Sequence, residues 1–120
     1  LAGQLDDWVP AAACEELVEA ANNSGYDINI TVYSNASHSF DRTMEVVLDD
    51  YAYSFTDCRL KMTEDGIVRT LYGLPLSSPL LQKIGLFFCA DKGAHWGGNK
   101  YARENSSEFS KEFMKLHLMD

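Results

Sequence analysis

A chain of 120 residues is at most one domain, and long enough to bury a core. An apolar fraction of 46% and a charged fraction of 23% are those of an ordinary globular protein, with no apolar stretch long enough to span a membrane as a helix. The net charge of −8, with 10 scattered basic residues, argues against a nucleic-acid partner, because phosphate contacts need clustered Lys and Arg.

In chain order, "LAG" reads as the last step of a strand leaving a sheet. With no initiator Met and no charged-then-apolar leader ahead of it, the chain is expected to be processed or part of something larger. "QLDDWVP" is an acidic loop whose Pro10 suits the first turn of a helix. "AAACEELVEAANNSG" places Ala13, Leu17, Val18 and Ala21 on one helical face, turns Glu15, Glu16 and Glu19 away, and stops at Gly25. "DINITVY" alternates Ile28, Ile30 and Val32 against a wetter Asn29, Thr31 and Tyr33, which predicts a strand over 27–33. Strand, helix, strand is the rhythm of a parallel α/β sheet.

Beyond His38 the pattern loosens. "CRLKMTEDGIVRTLYGL" reads as a hairpin turning at Asp65-Gly66. "SSPLLQKIGLFFCADKG" reads as a helix with Pro79 in its first turn, Leu80, Ile84, Phe87 and Phe88 inward, and a stop near Gly93. From Tyr101 a last helix lines up Ala102, Ser106, Phe109, Phe113 and Leu116, with Lys111 and Lys115 outside that line. No repeat, low-complexity tract or interdomain linker interrupts the chain.

The chemistry gathers at two loops. Asp6 and Asp7 follow the first strand, and His38, in "SNASHSFDR", follows the next. Parallel strands bring both loops to one sheet edge, at the strands' carboxyl ends, where α/β proteins place their sites. A carboxylate accepting from one imidazole nitrogen fixes the tautomer, so that the other nitrogen can take a proton. This is two-thirds of a nucleophilic triad, in the chain order acid before histidine found in α/β-hydrolases. On the local sequence alone, His38 reads more readily as an ordinary solvent-facing histidine than as a catalytic base. Asp41 beside it could pair as a metal ligand, but no cluster of zinc-ligand spacing supports a metal. His95 and His117 read as surface residues, His117 favourably near a helix carboxyl end.

"GQLDDWVPAAACEELVEAANNSG" followed by "VYSNASHSFDR" resembles the carboxyl-terminal part of the dienelactone hydrolase family of α/β-hydrolases. The family's acid segment, G-x-x-D closed by V/T-P, matches Gly3, Asp6 and Pro10. Its histidine segment, Y-x-x-A/G-x-H-x-F, matches Tyr33, Ala36, His38 and Phe40. "GGNKYARENSSEFSKEFMKLHL" is similar to the family's terminal helix. The resemblance implies the carboxyl-terminal part of an α/β-hydrolase fold: 1–42 with the acid loop, helix, strand and histidine loop, an insertion over 43–95, and the terminal helix over 96–120. It implies Asp6 and His38 as catalytic acid and base, with Asp7 the lesser candidate for the acid. It also implies a small-molecule ester or lactone substrate and no cofactor.

One departure matters. The family's nucleophile, Cys or Ser on a G-x-C/S-x-G turn, has no counterpart in these residues. The nucleophile is therefore expected upstream of Leu1, and the chain alone is expected to be inactive and prone to self-association through an uncovered strand edge. The rival reading is a non-catalytic interaction or structural protein that keeps a hydrolase-like scaffold; a small autonomous α/β binding domain is a third. Cys58 and Cys89 read either as a bridge or as two buried thiols, and three cysteines leave the compartment open.

Overall fold

The computed structural model describes residues 1–118; Met119 and Asp120, the end of the expected 96–120 segment, lie outside the described residues. The elements follow in the order β1 (Ala2–Gly3), α1 (Ala11–Asn23), β2 (Val32–Tyr33), β3 (Val47–Ser54), β4 (Leu60–Met62), β5 (Val68–Thr70), α2 (Pro79–Leu86), β6 (Asp91–Trp96) and α3 (Lys100–Leu118). The class is mixed α/β with small sheets. Two compact units are formed, Leu1–Asp49 with His95–Asp120, and Asp50–Ala94.

In the first unit β1 and β2 run parallel, with Ala2 opposite Val32 and Gly3 opposite Tyr33. The ladder is shorter than the alternation over 27–33 predicts. Asn22 explains this: its side-chain amide donates to the Ile28 carbonyl and accepts the Ile28 N–H, both at 2.9 Å, so Ile28 is already paired to the end of α1. The expected wet face is also corrected. Tyr33 is only 4% exposed, packs in the core with Ala36 and Ala102 against Phe40, and donates its hydroxyl to Asn105 Oδ1 at 3.2 Å. Burial raises the Tyr33 pKa.

Pro10 stands one residue outside α1, at the cap, with ψ 132°. The half-buried residues of α1 are Ala11, Cys14, Val18 and Ala21, spaced three or four apart as one helical stripe. The inward face is thus rotated from the expected one, and Ala13 and Leu17 point to solvent. In α3 the order is reversed: Ala102 and Ser106 are buried as expected, but Phe109, Phe113 and Leu116 are exposed. There the aromatic residues stack along the helix, Phe109 on Phe113 and Phe113 on His117.

The second unit is entered through β3 and left through β6, which pair with each other. β4 and β5 form the expected antiparallel hairpin, Lys61 opposite Arg69. Gly66, at φ 75°, makes its turn, while the Asp65 carboxylate accepts from the Thr63 hydroxyl, the Ile67 N–H and Arg69. The Ser78 hydroxyl caps α2 by accepting the Leu81 N–H, with Pro79 in the first turn. The helix ends at Leu86 rather than near Gly93, and Leu80, Ile84, Phe87 and Phe88 are exposed rather than inward, Phe88 at 91%. Its exit is fixed by Cys89, which is bridged to Cys58, and residues 91–96 become strand β6. A cavity of about 410 Å³, lined by Leu60, Leu71, Leu74, Ile84 and Phe88, lies between the hairpin and α2.

Candidate functional site

Both expected loops leave the parallel pair β1–β2 at its carboxyl end. Past β1, Gln4 and Leu5 still donate backbone N–H groups to Tyr33 and Ala36, at 2.9 and 2.8 Å. The contact is close because position 3 is glycine: a Cβ there would collide with the Ala36 carbonyl oxygen. The histidine loop is bent by two residues in the left-handed region, Asn35 (φ 55°) and Ser39 (φ 56°), on either side of the buried Ala36-Ser37 step.

The two loops bring Asp6 and His38 together. His38 Nδ1 lies 3.0 Å from Asp6 Oδ2, across 32 sequence positions. An ionised carboxylate can only accept, so Nδ1 carries the hydrogen and Nε2 is the basic nitrogen. The other oxygen of Asp6 is also committed: Oδ1 accepts the N–H groups of Trp8 at 3.0 Å and Val9 at 2.7 Å. The carboxylate is thus held by its own loop, as in an Asx turn, with one face free to orient the imidazole. The Asp6 side chain is 11% exposed and that of His38 33%. Trp8 covers one side of the ring, with centroids 4.9 Å apart.

His38 is gripped from behind as well. Its carbonyl accepts the Gly97 N–H at 2.9 Å, and His38 forms an isolated parallel bridge with Trp96. Asn99 accepts the Ala102 N–H on Oδ1 at the start of α3, and with Nδ2 donates to the Asn35 carbonyl. Asn99 therefore ties the start of the terminal helix to the histidine loop, and Arg103 adds a bond from its guanidinium to the Arg42 carbonyl at 3.0 Å.

Asp7 does not approach His38 as its partner. It pairs with His95, which is at the surface as expected: His95 Nδ1 donates to Asp7 Oδ2 at 2.7 Å, and the His95 backbone N–H donates to Asp7 Oδ1 at 2.8 Å. Burial raises the Asp7 pKa, and the side-chain and backbone bonds from His95 more than reverse this, leaving the carboxyl below its usual value of 3.8. No local pattern joins residues 88 positions apart.

The remaining candidates lie elsewhere. Asp41 is exposed, and among the described residues no group of three or more His, Cys, Asp or Glu is placed to hold a metal. His117 lies on the exposed last turn of α3. The Cys58–Cys89 bridge (S–S 2.01 Å) removes both sulfurs as nucleophiles, and the free Cys14 sits in α1. No described helix is long and apolar enough to cross a membrane.

Among known families, the model of the dienelactone hydrolase family matches residues 1–63. It takes in the acid loop, α1, the histidine loop, β3 and β4, and leaves α3 outside. No curated protein and no solved structure matches.

Proposed function

The chain belongs to the dienelactone hydrolase family, a family of α/β-hydrolases, and from that premise we propose that Asp6 and His38 are the acid and base of an ester or lactone hydrolase. The observation that carries the reading is the 3.0 Å Asp6–His38 contact, with the carboxylate locked by two backbone N–H groups inside the stretch that the family model matches.

The chemistry follows from the tautomer. His38 Nε2 takes the proton of a serine or cysteine as that group attacks the ester carbonyl, and Asp6 steadies the imidazolium. The same Nε2–H then protonates the leaving alcohol as the tetrahedral adduct collapses to an acyl-enzyme. In the second half His38 takes a proton from water as the water oxygen attacks the acyl carbon; the second adduct collapses by breaking the bond between the acyl carbon and the serine or cysteine, His38 returns its proton to that atom, and the carboxylic acid departs. The reaction asks for no cofactor, and the partner is a small-molecule ester or lactone.

No serine or cysteine of residues 1–120 stands on a G-x-C/S-x-G turn. In this reading the nucleophile and the oxyanion donors belong to a part of the protein outside these residues, and residues 1–120 are the carboxyl-terminal portion of the hydrolase fold. Residues 43–95 are then an insertion carried between the histidine loop and the terminal helix.

The test is covalent trapping. The intact protein that carries residues 1–120 is incubated with p-nitrophenyl acetate, quenched in acid and digested for mass spectrometry. An acetyl adduct on a serine or cysteine outside residues 1–120 is expected. An adduct on a serine or cysteine within them would refute the placement of the nucleophile. Absence of both adduct and turnover would favour a non-catalytic scaffold.

A further inference from the structure

Asp6 and Asp7 are adjacent and carry the same group, yet each serves a different histidine. Both oxygens of Asp6 are used, one by its own loop and one by His38. Both oxygens of Asp7 are used by one residue, His95. The short segment from His95 to Gly97 therefore touches both halves of the site. Through its N–H and Nδ1, His95 holds the acid loop; two residues on, the Gly97 N–H holds the His38 carbonyl at 2.9 Å. The segment is itself pinned. Gly97 adopts φ 150°, and a Cβ there would come within 2.5 Å of the Glu45 carbonyl oxygen and Val46 Cα.

We propose that His95 and Asp7 are positioning residues: the 95–97 segment acts as a ruler that sets the separation between the acid loop and the histidine loop, and so the Asp6–His38 contact. The inference rests on the reading of Asp6 and His38 as acid and base. Two bonds to one residue constrain orientation as well as distance, so the Asp7 carboxylate is anchored on His95. A pair this exposed (side chains 46% and 50%) adds little to global stability. Its effect is geometric, and catalytic geometry is sensitive to shifts of an ångström.

The test uses the intact protein and two readouts. The first is the downfield proton resonance of His38 Nδ1–H bonded to Asp6, assigned by its loss in His38→Gln. The second is steady-state hydrolysis of p-nitrophenyl acetate. Asp7→Ala is expected to broaden or abolish the resonance and to lower kcat about 10- to 100-fold. KM should stay within about twofold, because substrate binding is untouched. Asp7→Asn, which keeps an oxygen for the His95 N–H, should recover most of both. In an Asp6→Asn background Asp7→Ala should have no further effect on kcat, whereas a merely structural role would lower it again. Should Asp7→Ala fail to fold, His95→Ala replaces it, since that change leaves the backbone bond to Asp7 in place. An unchanged resonance and kcat in the folded variant would overturn the proposal. A protein without esterase activity whose resonance still depends on Asp7 would sink the hydrolase reading and leave the ruler standing.

Discussion

Asp6→Asn separates what the acid loop does for the fold from what it does for the reaction. Asparagine keeps Oδ1, so the Trp8 and Val9 N–H groups, at 3.0 and 2.7 Å, retain their acceptor and the turn survives. The change falls on the other atom. An NH2 group replaces the oxygen 3.0 Å from His38 Nδ1, and two donors cannot face each other there. The imidazole resolves the clash by moving its hydrogen to Nε2, the nitrogen that must be bare to act as a base. The fold loses one charge-assisted bond and gains a neutral one, a cost of about 1 kcal/mol. The reaction loses its base in the resting state, worth roughly 10⁴ in kcat, or about 5 kcal/mol of transition-state stabilisation. Asp6→Ala should cost the fold more, about 1–2 kcal/mol, because two N–H groups then lose their acceptor. The assay is initial-rate hydrolysis of p-nitrophenyl acetate by the intact protein, set against free imidazole at equal concentration, with thermal unfolding in parallel. Asp6→Asn retaining more than about a tenth of the wild-type kcat would refute the tautomer argument. A larger loss in Asp7→Asn than in Asp6→Asn would move the acid to the other carboxylate.

Two further outcomes are expected. In the denatured, unreduced protein Cys14 is the one alkylatable thiol of residues 1–120, and the 31-residue loop closed by Cys58–Cys89 gives the bridge about 3–4 kcal/mol of stabilisation that reduction should remove; three reactive thiols would contradict it. Because His95 holds Asp7 below its ordinary 3.8, the stabilisation from this pair is fully present above that pH and lost as pH falls through the lowered value. A carbon-detected titration of the Asp7 carboxyl should give a midpoint below 3.8 that rises in His95→Ala, and a wild-type midpoint at or above 3.8 would contradict the pairing.

The elements written in short-range chemistry were legible in the sequence. Ser78-Pro79 announces the start of α2, Asp65-Gly66 the hairpin turn, and the strand–helix–strand rhythm the parallel pair that carries Asp6 and His38 to one edge. What escaped was set by partners far along the chain. The Phe87-Phe88-Cys89 run suits a helix until Cys89 is tied to Cys58. β3 hides because Asp49-Asp50 interrupts its apolar alternation. Tyr33 looked like a wet-face residue until Asn105, 72 positions on, took its hydroxyl inside the core. The Asp7–His95 pair has no local signature, since both residues are common at an exposed surface.

The central claim is that His38 moves the proton. It is tested most directly by kcat for aryl-ester hydrolysis in the intact protein against its His38→Ala variant, both shown to be folded by cooperative thermal unfolding. The reading expects His38→Ala to fall further than Asp6→Asn, to the level of free imidazole. A His38→Ala protein that turns the ester over at the wild-type rate would contradict it.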